Sequence, residues 1–259
     1  MSTTTYPRSR HHLFFLAYAW VLLLIVLAGF APSLYLRFAF DQPPLLPYLY
    51  LHGAFITGWF VWLVAQAWLI NCHKPLLHRQ LGYAGAAYGL LVVIGGLMAS
   101  LGQVSHDLSQ GLTFDTTIEA ADPDLGSGIT YLAFISHEVW VSIADLLSFA
   151  MLLGAAVWLR GRFDIHKRLM LLAALVIVNP ALGRLARLEF FGGEGGPFVN
   201  CALLALLAAL LLYDWLTLKK IHPATLAALI VYALLHIAAS WIGDSELGLH
   251  FTHSLGHGI

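Results

Sequence analysis

The chain has 259 residues, of which 59% are hydrophobic and only 10% charged, and its mean hydropathy is +0.79. An ordinary soluble domain is about half apolar and a quarter charged, so these values exclude a soluble enzyme and point to a membrane protein. Thirteen basic against fourteen acidic residues leave a net charge of −1 with no basic field for nucleic acid, and two cysteines, Cys72 and Cys201, cannot build a disulfide framework.

Apolar runs long enough to cross a bilayer fall at 13–36, 48–71, 76–102, 130–158, 165–184, 198–218 and 223–242. The expected fold is therefore all-α, a single seven-span domain over 1–259. The first run follows Arg8 and Arg10 as a signal peptide would, but it continues to Leu36 without a polar cleavage region, so it is expected to remain as a span. Seven spans put the termini on opposite sides. Arg8, Arg10, Lys74, Arg79, Arg160, Arg162, Lys167, Arg168, Lys219 and Lys220 then share the N-terminal side, against Arg37, Arg184 and Arg187 on the other. The positive-inside rule predicts an N-terminus inside and a C-terminus outside. The loop 103–130 agrees, because it carries Asp107, Asp115, Glu119, Asp122 and Asp124 with no Lys or Arg; its DPD and GSG segments read as irregular. Tyr48, Tyr50, Tyr131 and Trp241 at outer span ends, and Trp68, Trp158, Tyr213 and Trp215 at inner ones, form the expected aromatic belts.

The second to fifth spans contain a weak internal repeat, two helical hairpins at about 48–102 and 130–187. Each has a histidine near the start of both helices. His52 and His137 are 85 residues apart and His78 and His166 are 88 apart, so one pair is expected at the outer side and one at the inner. Pairs of imidazoles on facing helices are the axial ligands that b-type haem requires, and four such spans make a haem-binding type of four-helix bundle. Gly82, Gly85 and Gly89 follow His78 on its helix face, as Ala173 and Ala174 follow His166, which leaves either room for a flat macrocycle or a face for tight helix packing. Two acids, Glu138 and Asp145, lie within the fourth span. An acid there is costly, so Asp145 is expected to face the interior as a proton relay or a partner for a redox substrate, or else to bond Gln66 or Ser148.

Asn179-Pro180 should break the fifth span. Beyond it Arg184 and Arg187 are placed for haem propionates, for headgroups or for Glu189. His236 in the seventh span is an alternative ligand to His52 or His137. The tail from Asp244 carries His250, His253 and His257 and reads as a solvated segment, with metal binding as the less favoured possibility.

The string HG, Gln66, HRQLG, HKRLM and PALGR resembles a group of uncharacterised bacterial polytopic membrane proteins of this size, over roughly 48–187. The order of four histidines on four consecutive helices also resembles the di-haem transmembrane cytochromes b. That resemblance implies His52 with His137 on one haem, His78 with His166 on a second, and a donor such as quinol or a small soluble reductant. The chain departs from them in its seven spans, its long acidic loop and inner histidines almost at the helix entrances. The expected function is transmembrane electron transfer by one or two b-haems. The alternatives are an intramembrane zinc-dependent hydrolase using His52, Asp145 and His236, and a non-enzymatic transporter or assembly factor.

Overall fold

The computed structural model describes residues 8–118, 128–188 and 195–256. Glu119, Asp122 and Asp124 of the acidic loop, Glu189 and His257 lie outside them. The chain is built of helices: α1 Arg8–Phe30, α2 Pro47–Asn71, α3 Pro75–Ser109, α4 Tyr131–Trp158, α5 Phe163–Val176, α6 Asn179–Ala186, α7 Gly195–Leu218, α8 Pro223–Gly243 and α9 Glu246–Leu255. Six of these are long and apolar enough to cross a membrane, and α5 with α6, bent by 44° at their junction, is either a broken seventh span or a re-entrant loop. The fold is thus an all-α, multi-pass membrane bundle.

Local chemistry explains where the helices start and stop. Pro47, Pro75 and Pro223 each open a helix, where a missing N–H costs nothing. Thr130 caps α4 by accepting from the Ala133 N–H, and Ser245 caps α9 from the Gly248 N–H. After α1 the chain continues as one π-turn over Ala31–Tyr35, which contains Pro32, a residue with no N–H to keep the tighter ladder. Pro180 acts in the same way at the break between α5 and α6, as the Asn-Pro pair predicts.

The N-terminal face gathers the start of α1, the turns α2–α3 and α4–α5, and the turn α7–α8. The opposite face carries the α3–α4 connection, the end of α6 and α9. A core of Leu22, Val26, Trp59, Phe60, Phe149, Ala173, Ala174 and Leu182 joins α1, α2, α4, α5 and α6. A second cluster, with Val104, Tyr131, Ile135, Val139 and Leu255, closes the opposite face. Trp20, Leu24, Leu90 and Ile237 point outward, as lipid-facing side chains do.

Two expectations are corrected. The segment after Asp244 is not a solvated tail: α9 buries Gly248, Thr252 and Leu255, and the Thr252 hydroxyl donates to Ser136 on α4 at 3.2 Å. These three recur with helical period on one face, whereas Leu247 and Phe251 stay exposed. The span expected at 76–102 runs on as α3 to Ser109, and Thr117–Ile118 pairs antiparallel with Ile129–Thr130, while the DPD segment lies outside the described residues.

The broken span is wedged against α1 through Gly29. A Cβ added there would sit well inside van der Waals contact of the Ala181 carbonyl oxygen on α6, and backbone cannot step aside as a side chain can. Gly29→Ala should therefore lower stability by about 1–3 kcal/mol, read as a lower thermal midpoint in detergent. An unchanged midpoint would mean that α1 and α6 do not approach this closely.

Candidate functional site

The hairpin histidines meet at the N-terminal face. His78 in the first turn of α3 and His166 in the first turn of α5 lie with ring centroids 6.2 Å apart and planes at 84°. Each ring is anchored to the preceding helix of its own hairpin. His78 Nδ1 bonds the Gln66 carbonyl of α2 at 3.3 Å, and His166 Nδ1 bonds the Ala156 carbonyl of α4 at 2.9 Å. The latter lies in the last turn of α4, where carbonyls lack an intrahelical donor. A carbonyl only accepts, so Nδ1 carries the proton in both rings and each Nε2 keeps a lone pair. That is the tautomer a metal-ligating histidine takes when its other nitrogen is held by a carbonyl. The two hairpins thus hold these two histidines in the same way.

The tautomer of both rings suits a metal ligand, and their centroid spacing is close to that of two imidazoles sharing one metal atom. With each nitrogen about 2 Å from a shared metal atom and each ring centre about 1 Å further out, two opposed imidazoles stand about 6 Å apart. Beside the pair, on α2, Gln66 Oε1 and Nε2 and Trp62 Nε1 are buried without a hydrogen-bond partner. Orphaned buried polar atoms of this kind are uncommon and call for a ligand or water. The glycine face divides in two. An added Cβ at Gly82 meets nothing, whereas at Gly85 it would run into the Trp62 indole and at Gly89 into Leu153. Only the turn nearest His78 leaves open space; the rest of that face packs helices. Ala173 and Ala174 are fully buried in the core.

The other histidines are placed differently. His137 Nδ1 lies 3.2 Å from Asp244 Oδ1. Gly243 makes this possible, since it lets the end of α8 lie against the His137 backbone. Among the described residues no ring contact joins His137 to His52. His52 Nδ1 is buried without a partner, and the charge of Arg184 reaches this ring. Arg184 itself donates to the Pro180 carbonyl at 3.0 Å and covers the Phe30 ring, while the charge of Arg187 reaches Glu138.

Asp145 finds neither Gln66 nor Ser148 but His236, whose Nε2 lies 3.1 Å from its Oδ1. Tyr232, one turn before His236 on α8, packs its ring against that imidazole, with centroids 4.0 Å apart and planes tilted by 38°. Among the described residues no three His, Cys, Asp or Glu side chains converge to hold a metal ion, so the set His52, Asp145 and His236 supplies a close pair and not a triad.

One buried ion pair escapes the sequence. Arg168 donates through Nε at 2.8 Å and through Nη2 to Asp214 Oδ1, and these two side chains are 1% and 0% exposed. The second oxygen of Asp214 accepts from the His222 N–H at 3.0 Å and the Thr225 hydroxyl at 2.9 Å. The pair ties the start of α5 to the end of α7 and the start of α8, two residues beyond His166. The available signal was an acid inside the apolar run LLYDWL, which in a membrane is expected to have a partner.

Searches of family models, of curated proteins and of solved structures find no match to this chain.

Proposed function

We propose that the chain is a membrane electron-transfer protein that holds one b-type haem between His78 and His166. The supporting observation is the pair itself: two imidazoles 6.2 Å apart, each fixed at Nδ1 and each with a free Nε2. When bound, the iron would cycle between ferric and ferrous states and so carry one electron at a time. The chain's own residues do the rest. The Gln66 and Ala156 carbonyls hold the tautomer and the ring angle, Trp62 and the buried core exclude water, and Gly82 leaves the nearest turn open.

A second haem between His52 and His137 has less support, since His137 is engaged by Asp244. The zinc-hydrolase alternative keeps only the His236 and Asp145 pair. The donor belongs to the quinols or the small soluble reductants, in keeping with the resemblance to di-haem cytochromes b. The decisive experiment is a dithionite-reduced minus oxidised spectrum of protein purified from haem-replete cells. A sharp α-band with about one haem per chain is expected for bis-imidazole ligation. A haem-free chain carrying stoichiometric zinc would replace this function with the hydrolase.

We place the N-terminal face on the inside of a bacterial inner membrane, on the ten-to-three distribution of basic residues. A periplasm-active reporter fused after Ile259 is expected to be active and one fused after Lys220 silent. The opposite pattern would move the His78 and His166 pair to the outer surface.

A further inference from the structure

Helix α9, which covers the start of α4, presents three different sides. Gly248, Thr252 and Leu255 are buried against the bundle. Glu246 and His250, one turn apart, are exposed. Leu247 and Phe251, also one turn apart, are 70% and 38% exposed. At about 100° per residue, Leu247 and Phe251 lie between the buried side and the polar one. A shallow open groove of about 510 Å³ runs along this flank, with Leu247 and Phe251 as its apolar wall and Glu246, His250 and Ser254 as its polar wall.

The helix that leads into α9 shows what lies beside this flank. Leu226, Ile230, Leu234, Ile237 and Trp241 follow one another along one side of α8 at three- and four-residue steps, each at least half exposed. Such a stripe on a membrane-spanning helix meets either acyl chains or another helix. Pairing of membrane helices depends on small residues that let the backbones approach, and every position here is large, so the stripe faces lipid. It ends at Trp241, a side chain that favours the headgroup level. Trp140 of α4 then bridges the two helices: it borders Gly243 at the end of α8, and its ring lies 5.5 Å from that of Phe251 on α9. An apolar flank beside a polar edge, at the level where a lipid-facing stripe ends, suits the bilayer interface better than water. Glu246 stands on the polar edge, so lowering the flank among acyl chains buries no carboxylate.

We propose that α9 is an interfacial helix of the leaflet opposite the N-terminal face, with Leu247 and Phe251 inserted among the acyl chains and Glu246 and His250 in the headgroup layer. Its partner is the phospholipid surface, whose acyl and headgroup regions match the apolar and polar walls of the groove. Held there, α9 keeps Thr252 on Ser136 and closes the bundle beside His137. The inference depends on neither haem nor the orientation of the chain in the membrane.

The test uses the full chain carrying Cys72→Ser and Cys201→Ser, both exposed positions, reconstituted in vesicles of phosphatidylcholine and phosphatidylglycerol. A nitroxide is attached at one new cysteine at a time: Glu246→Cys, Leu247→Cys, His250→Cys, Phe251→Cys or, as the lipid reference, Ile237→Cys. In power-saturation measurements, oxygen should relax the labels of Leu247→Cys and Phe251→Cys more than a water-soluble nickel chelate does, as at the reference, from a depth of about 5–10 Å into the headgroup and acyl boundary. The order should reverse at Glu246→Cys and His250→Cys. Nickel-dominated relaxation at Leu247→Cys and Phe251→Cys would make the flank solvated and overturn the proposal. Shielding of both labels from both agents would overturn it in favour of a second copy or another protein, and oxygen-dominated relaxation at all four positions would place α9 inside the hydrocarbon instead. Phe251→Cys gives up the contact with Trp140, so where the two flank labels disagree the more exposed Leu247→Cys decides.

Discussion

His78→Ala and His166→Ala should each remove the whole α-band, because among the described residues no third His, Cys, Asp or Glu converges on the pair to replace a lost imidazole. His52→Ala and His137→Ala should leave it in place, since neither ring meets the pair. A damaged fold would also lose haem, so two readouts separate ligation from structure. Added imidazole should restore the band to a His78→Gly chain by occupying the vacated space, which a misfolded protein would not allow. The oxidised wild type should also give a strongly anisotropic low-spin electron paramagnetic resonance, because ring planes at 84° leave the iron π-orbitals nearly degenerate. A band that survives His78→Ala but disappears with His52→Ala would transfer the site to the opposite face.

What the sequence conveys depends on the range of the interaction concerned. Spans are local: an apolar run bounded by basic turns needs no partner to be recognised, and the break at Asn179-Pro180 is a property of two adjacent residues. The inner histidine pair is nearly as local, because each short hairpin brings its second histidine back beside the end of its own first helix. The outer histidines depend on something longer in range. Where His137 points is decided by Gly243 and Asp244, more than a hundred residues away, and by the packing of α9 over Ser136. Hydropathy gives α9 no emphasis, since ten residues of which five are polar read as a tail until a partner face exists. The partner of Asp145 is likewise fixed by the packing of α8 on α4, which no spacing along the chain reveals.

The Arg168 and Asp214 pair shows how a charge can be counted correctly and still be misplaced. Arg168 contributes to the basic excess of the N-terminal face, yet it is buried and its guanidinium is committed to a carboxylate on another helix. Removing one partner leaves an uncompensated buried charge, so Arg168→Ala and Asp214→Ala should each cost about 3–5 kcal/mol, measured as unfolding in mixed micelles. The double change Arg168→Met with Asp214→Leu removes both charges together and should recover most of that loss, because well-packed apolar side chains often replace a buried ion pair without penalty. Haem content gives the same comparison a second axis. His166 lies two residues before Arg168 in the first turn of α5, so loosening that turn should lower haem occupancy in the single variants, whereas the double variant should regain it along with stability. Single variants as stable as wild type would show that the pair is not closed in the membrane. A double variant that regains stability but not haem would show that Arg168 positions the His166 turn through its bond to the Asp164 carbonyl at 2.8 Å, and not through the ion pair alone.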